Sequence, residues 1–281
     1  MTPKLSHAIE MTCRTDPGLI RERNEDAVSI DPDCGFAILA DGMGGYNAGD
    51  VASNMTVNLI SQGLRQALIH YEPHRNDPVN GRPNALSMLE NQIQLANAAV
   101  FEAAQTQSQC AGMGTTLVAA LFYDNRLMVG HIGDSRLYRL RAGLFEQLTR
   151  DHSLLQEQID AGMISREEAR FVEYKNLVTR ALGIDAYVEP EFNEFYVEVD
   201  DVYLLCSDGL NDMLADHDIQ HYLQDDPGQL QQLADHLIQA ANEVGGRDNV
   251  SVILIRIRAD FPTHTRWMPK LLSWLGHARG C

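Results

Sequence analysis

Four aspartates occupy the same kind of position in this chain. Asp41 follows Phe36-Ala-Ile-Leu-Ala, and Asp134 follows Leu127-Met-Val-Gly-His-Ile-Gly. Asp208 follows Val202-Tyr-Leu-Leu-Cys-Ser, and Asp248 precedes Asn249-Val-Ser-Val-Ile-Leu-Ile. Each marks one end of an apolar run, and the first three are followed by Gly or Ser. Taken singly, each reads as a turn residue, since Asp-Gly is a favoured turn pair. Taken together, they have a chemical consequence if the ends of the runs converge. Two carboxylates ~4 Å apart repel by roughly 4 kcal/mol at an effective dielectric of 20. Hard cations offset that repulsion. Carboxylates and carbonyls without His or Cys favour Mg²⁺ or Mn²⁺ over zinc. Two such ions roughly 3.5–4 Å apart can activate a water for in-line attack on phosphorus.

The elements that must carry these groups follow from apolar patterning. Strands are expected at 7–12, 26–31, 35–40, 114–123, 126–131, 136–140, 145–148, 192–199, 202–206 and 250–257. Amphipathic helices are expected at 47–70 and 85–107. Asp226-Pro227 fits an N-cap with Pro at the first helical position, opening a helix to about residue 244. Shorter helical pieces are expected around 154–161 and 166–169. The strand at 35–40 is expected to end at Asp41 in a glycine-rich turn. Strands come in runs and the two long helices come as a consecutive pair. That order indicates an α+β fold with antiparallel sheets and helices packed outside, rather than βαβ alternation. No linker or repeat divides the chain, so residues 1–260 read as one domain and 261–281 as a short basic tail carrying both tryptophans.

Bulk properties narrow the function. The 281 residues carry a net charge of −17, which argues against a general nucleic-acid binder. An acidic protein can still reach phosphate through metal ions, which reverse the local sign. Five cysteines without a CxxC pair read as reduced, buried thiols. No apolar run approaches the ~18 residues of a membrane span, and the first residues carry no apolar signal region. A cytoplasmic protein is the expectation.

Eight motifs occur in a fixed order: Arg21-Glu-Arg-Asn-Glu25-Asp26, Asp41-Gly-Met-Gly-Gly, Gly112-Met-Gly-Thr-Thr116, Gly133-Asp-Ser-Arg136, Leu148-Thr-Arg-Asp151-His152-Ser153, Leu177-Val-Thr-Arg-Ala-Leu-Gly183, Cys206-Ser-Asp208-Gly-Leu210 and Gly246-Arg-Asp248-Asn249-Val. Together they resemble the PPM/PP2C metal-dependent serine/threonine phosphatases, most closely the bacterial branch. The resemblance covers about residues 8–258. It implies a four-layer α-β-β-α sandwich, two antiparallel sheets flanked by helix pairs, with a dinuclear Mn²⁺ or Mg²⁺ site at one end. By the same resemblance, Asp41 bridges both ions, the Gly42 carbonyl binds one, and Asp208 and Asp248 bind the other. Asp26 and Glu25 hold waters on the metals. Asp134 resembles a ligand of a third, weaker ion, and Arg21 the arginine that grips the substrate phosphate. The implied nucleophile is a hydroxide bridging the ions, with no phosphoenzyme. The implied substrates are phosphorylated proteins, with a serine/threonine kinase and its targets as partners. No nucleic-acid partner and no transmembrane segment are expected, and the chain is expected to be a monomer.

Each carried-over role has a plainer reading beside it. Arg21 can be a solvated surface arginine. Asp134-Ser-Arg136 can be a hairpin start. Asp151-His152-Ser153 can cap a helix, with catalysis by His152 as the sharper reading. Met43 stands where eukaryotic members often carry a histidine and cannot donate a proton, so the general acid is open, with a water on the metals as the expected donor. Tyr46 and Asp50 also depart from the bacterial pattern, at the rim. The polar stretch 154–176 matches the family's flap in position. The tail can dock on its own domain, bind a partner or touch a membrane surface. Two other functional classes are testable. A binding module that has lost its metals would lack ligand carboxylates. A nucleotide-binding loop would need Gly at position 47, where Asn47 stands.

Overall fold

A computed structural model describes residues 4–44, 48–165, 168, 177–225 and 228–262. Tyr46, Asp226, Pro227, parts of the expected flap and the tail from 263 onward lie outside these residues.

Eleven strands form two antiparallel sheets among the described residues. The first sheet runs β1 (Ile9–Asp16), β11 (Val250–Ile257), β10 (Val202–Cys206), β7 (Arg136–Arg141) and β8 (Leu144–Gln147). The second runs β2 (Asp26–Asp31), β3 (Phe36–Met43), β5 (Leu117–Tyr123), β6 (Arg126–Ile132) and β9 (Glu191–Tyr196), with the short β4 (Gly114–Thr115) paired to the end of β3. Helices α1 (Gly49–His70) and α2 (Asn84–Thr106) cover the second sheet. The first is covered by α5 (Asp216–Gln224) and α6 (Leu230–Val244). Two short α-helices also lie among the described residues, α3 (Leu154–Asp160) and α4 (Asp208–Asn211).

Side-chain alternation along each strand divides the core into three layers. In β3, Phe36, Ile38 and Ala40 face α1 and α2, whereas Ala37 and Leu39 face the other sheet. In β10, Val202, Leu204 and Cys206 face α5 and α6, whereas Tyr203 and Leu205 face inward. In β11, Val252 and Leu254 point outward, and Ile253 and Ile255 inward. Strands β5, β10 and β11 are buried on both faces, which is why they read in the sequence as continuous apolar runs. The expected α+β, four-layer sandwich is the observed fold.

Several expected boundaries move. The strand expected at 35–40 continues through Asp41 to Met43, because Gly42 and Met43 pair with Thr115 and Gly114. Asp41 therefore lies inside a strand, not at the start of a turn. The strand expected at 114–123 is broken at Thr116 into β4 and β5. The helix expected from Pro227 begins at Leu230 with Gln229 as its N-cap. Gly228, at φ +83°, lies outside the right-handed helical region and keeps the helix from starting earlier. Helices α4 and α5 were not expected at all. Cys110 and Cys206 are buried free thiols, but Cys13 and Cys34 are only half-buried. No helix among the described residues is long and apolar enough to cross a membrane.

Candidate active site

The same alternation that builds the core aims polar side chains into its open end. In β2 and β3, Ala27 and Ala40 face the helices, so Asp26 and Asp41 face the gap between the sheets. The register sets Asp26 directly opposite Asp41. Like charges directly opposite on a sheet are destabilising, so this pairing needs compensation. Across the gap, Ser207 and Ser251 continue the inward-facing series of Leu205 and Ile253. Ser207 Oγ donates to Asp26 Oδ2 at 2.8 Å and accepts from the Ser251 N–H at 2.9 Å. One hydroxyl thus ties the two sheets together at the acidic end.

Two glycines let backbones approach where any side chain would collide. A Cβ on Gly209 would sit 2.0 Å from the Asn249 carbonyl oxygen. Its absence allows α4, which begins with Asp208, to lie against the segment carrying Asp248. A Cβ on Gly42 would sit 2.1 Å from the Gly49 carbonyl oxygen and 2.6 Å from that of Glu25. Gly42 is thus required by close packing of α1 on β3, not by the tight turn its sequence suggested.

The gathered carboxylates raise one another's pKa. Burial, then the charges of Asp26, Asp208, Asp134 and Asp248, hold Asp41 well above the usual carboxylate range. Burial, then Asp134, Asp212, Asp248 and Asp26, do the same to Asp208. Burial pushes Asp26 up to about 6, against the Ser251 and Ser207 hydroxyls, which favour the charged form. Burial and the neighbouring Asp151 push Asp134 up to about 6. Asp41, Asp208 and Asp248 keep partial solvent access, whereas Asp26 and Asp134 are buried.

This donor set fits hard divalent cations on two observations. Its side-chain donors are all oxygen. Asp26 Oδ1 is also buried without a hydrogen-bond partner, a lone pair left for something positively charged or protic. Asp41, the Gly42 carbonyl, Asp208, Asp248 and Asp134 could hold ions, and Asp26 and Glu25 could act on their waters. The Glu25 carboxylate lies against Gly49 at the start of α1. Burial and then Asp50 raise its pKa, opposed by the Gly49 amide.

Arg21 reaches the acidic end from the loop between β1 and β2. Its Nη2 donates to Asp248 Oδ2 at 2.7 Å, and its side chain is half exposed. Buried Asn249 locks that loop. Its Oδ1 accepts from the Glu25 N–H at 2.8 Å, and its Nδ2 donates to the carbonyls of Pro17 and Arg23. Asp134 sits in the turn between β6 and β7. Thr116 Oγ1 lies 2.7 Å from Ser135 Oγ in that turn and accepts from the Asp41 N–H at 3.0 Å. Arg136, two residues beyond Asp134, forms a fork on Asp151 with contacts between 2.6 and 3.0 Å, while its charge opposes the rise in the Asp134 pKa.

Behind the Asp134 turn, His131, His152 and Glu191 have ligand atoms within 4.8 Å of one another. Proximity alone would admit a metal ion, but the hydrogen bonds do not. His152 Nδ1 accepts from the Gly133 N–H, so the proton of the neutral ring sits on Nε2, which faces Glu191 at 3.6 Å. A cation on Nε2 would require an imidazolate. His131 Nε2 donates to the Arg150 carbonyl at 2.9 Å, and its ring stacks on His152 at 4.9 Å. Burial lowers the pKa of both rings, that of His152 to about 4.

The sequence model of the family described as Protein phosphatase 2C matches residues 21–254. The serine/threonine phosphatase stp of Listeria innocua is 37% identical over 247 residues, spanning 86% of this chain and 93% of that protein. This chain belongs to the protein phosphatase 2C family.

Solved structures agree with that assignment. The serine/threonine phosphatase PstP/Ppp of Mycobacterium tuberculosis superposes with a TM-score of 0.80 at 36% identity, over 90% of this chain and 100% of that one. The catalytic domain of PstP in complex with two manganese ions superposes at 0.77 and 35% identity, over 90% and 99%. The chain is a serine/threonine protein phosphatase of the bacterial PPM type.

The phosphatase brings Asp26, Asp41, Asp134, Asp208, Asp248, Glu25 and Arg21 to one end of the sandwich. Ser153 caps α3, accepting from the Gln156 N–H, as the capping reading of that motif expected. Sequence reading missed Ser207, Ser251, Asn249, Thr116, Asp212, His131 and Glu191. Ser207 and Ser251 had a usable signal, being the inward-parity residues at the ends of two apolar strands. Asn249 lay within a quoted motif but was given no role.

Proposed function

We propose that this phosphatase hydrolyses phosphoserine and phosphothreonine on proteins with two divalent cations, Mn²⁺ or Mg²⁺, held by Asp41, the Gly42 carbonyl, Asp208 and Asp248. The meeting of buried Asp26 with the partly exposed Asp41, Asp208 and Asp248 carries this reading. Divalent cations would relieve the repulsion within such a cluster while leaving it open to a phosphate dianion. When bound, the ions would neutralise the dianion and supply an activated water for in-line attack on phosphorus. Asp134, with Asp208, would hold a third and weaker ion.

The chain's own residues do the rest. The Arg21 guanidinium leaves Asp248 for the substrate phosphate, where two N–H groups match two phosphate oxygens. Asp26 Oδ1 accepts a hydrogen bond from the attacking water, while Ser207 fixes the other oxygen of the same carboxylate. Water's oxygen bonds to phosphorus as the bond to the serine or threonine oxygen breaks; the proton the attacking water gives up passes to Asp26 Oδ1 and on to solvent, and the leaving oxygen takes a proton from a second water. Met43 cannot supply it: its backbone pairs with Gly114 and its side chain is a thioether. The substrates imply an ATP-dependent serine/threonine kinase as the opposing activity, acting in the cytoplasm.

The test is hydrolysis of a phosphothreonine peptide with Mn²⁺, with and without chelator. Asp208→Asn should lower kcat at least about 100-fold while leaving the circular dichroism spectrum unchanged. Full activity of that variant, or activity indifferent to chelation, would sink the assignment.

A further inference from the structure

The segment linking β8 to α3 joins the Asp134 turn to the chain returning at 177–182, and His152 is where the two meet. Its backbone N–H donates to the Gly133 carbonyl at 2.9 Å, and its ring Nδ1 accepts from the Gly133 N–H at 3.2 Å. Both backbone polar groups of the residue before Asp134 are therefore held by one histidine. On its other side, the His152 carbonyl accepts from the Thr179 N–H at 2.8 Å. Ser153 bridges Val178, and the Leu154 N–H donates to the Leu177 carbonyl at 2.9 Å. The returning segment reaches the acidic group by a second route. Leu182 exchanges hydrogen bonds with Thr115 at 2.8 and 3.1 Å, and the Thr115 hydroxyl donates to the Asp41 carbonyl at 2.8 Å. The His152 ring is 6% exposed, stacked on His131, with its Nε2–H turned toward Glu191. No acidic residue of the candidate site touches it, so its fixed tautomer serves the Gly133 N–H.

We propose that His152 is a positioning residue: it holds the Gly133–Asp134 turn against the returning segment at Thr179 and thereby sets how tightly Asp134 binds a cation. This rests on the reading of Asp134 as a ligand of the weaker third ion. A buried N–H that loses its acceptor carries the desolvation of that group unrelieved, so the turn would leave its place to regain a partner. The effect is on the carboxylate's position, since the ring does not face substrate.

Two polar substitutions of similar size separate the acceptor from the bulk. In His152→Asn the side-chain oxygen falls near the position of Nδ1. In His152→Gln it falls near Nε2, away from Gly133. Calorimetric titration of the full chain with Mn²⁺ should give a weakest-site affinity within about twofold of the unaltered protein for the Asn variant. The Gln variant should be weakened about tenfold. Amide hydrogen exchange at Gly133 and Thr179, measured without metal, should be faster in the Gln variant only. Asn and Gln variants alike in both measurements would overturn the proposal. If the unaltered protein takes up no Mn²⁺ and hydrolyses no aryl phosphate, the reading of the site fails, and the exchange rates still decide the role of His152. If neither variant folds, exchange in the unaltered chain carries the test. Gly133 and Thr179 must then open together, and independent opening overturns the proposal.

Discussion

Loading the site with metal should release protons, in a number that falls as pH rises. The perturbation is addition of Mn²⁺ to metal-free protein. Asp26 and Asp134 are both pushed up to about 6, chiefly by burial. At pH 6 each is about half protonated, and at pH 8 only about 1%. A cation demands the charged form, so these two carboxyls together release about one proton at pH 6 and about none at pH 8. Asp41 and Asp208, which burial and then their neighbouring carboxylates hold well above the usual carboxylate range, add to the release. The protons belong to the cluster as a whole, so the total is the observable. The sign for stability runs the same way. A carboxyl raised from 3.8 to about 6 favours the folded chain below 3.8, and that advantage is lost as pH rises through about 6. For Asp26 the difference amounts to about 3 kcal/mol. His131 and His152 oppose it, because lowered histidine pKa values destabilise the fold once pH falls below 6.5. Unfolding curves would mix the two effects, so proton count is the cleaner readout. The assay is titration calorimetry in two buffers of different ionisation enthalpy at pH 6 and pH 8. Release that is absent at pH 6, or that grows toward pH 8, would refute a carboxylate cluster as the metal site.

Three further outcomes follow from particular contacts. Gly42→Ala drives a Cβ to 2.1 Å from the Gly49 carbonyl oxygen, and should lower stability by about 2–4 kcal/mol in urea unfolding and reduce activity through displacement of α1. Asp201→Ala strips the buried acceptor of Arg141, the Tyr203 hydroxyl and the Glu198 N–H, and should cost about 3–5 kcal/mol with kcat per folded molecule unchanged. Arg21→Ala should raise KM for an aryl phosphate about tenfold with a smaller change in kcat, because the lost bonds act on the phosphate in ground and transition states alike. A KM that does not move would return Arg21 to a surface role.

The sequence carried the strands that bring Asp41, Asp134, Asp208 and Asp248 together, because strands buried on both faces leave unbroken apolar runs. It did not carry their ends. Asp-Gly at 41–42 signals a turn, yet β4 offers hydrogen bonds that draw Gly42 and Met43 into the sheet. Helix α5 escaped because little but Ile219 and Leu223 is buried along it. The supporting polar residues escaped for a different reason. A serine beside an aspartate has no meaning until the register of two sheets is known, and Ser207 matters because it meets Asp26, 181 positions away. Asp151-His152-Ser153 offers a helix cap through Asp or Ser and a catalyst in His152, and neither reading contains the bond that the His152 ring accepts from the Gly133 N–H.

Strand β10 holds a controlled comparison, since an aspartate flanks each end. Asp201, beside one end, is buried and accepts from the Arg141 guanidinium, the Tyr203 hydroxyl and the Glu198 N–H. It carries no resolved need for a cation, because the fold supplies the positive charge and the donors. Asp208, beside the other end, faces four other carboxylates that raise its pKa. Arg21 reaches Asp248 from a half-exposed position. Burial of an acid is thus no mark of a catalytic site. Burial of several acids beside one another, met by a half-exposed arginine at Asp248, is, because that arrangement lowers stability in the metal-free chain and a bound cation would restore it. The linkage is quantitative: a free ion at 100 times its dissociation constant adds about 2.7 kcal/mol per site. Asp208→Asn, which removes a carboxyl that the metal-free fold disfavours in its charged form, should accordingly raise the melting temperature of the metal-free protein while abolishing the further rise that Mn²⁺ produces in the unaltered chain. A variant less stable than the unaltered protein without metal would show that repulsion among these carboxylates is not what the cations relieve.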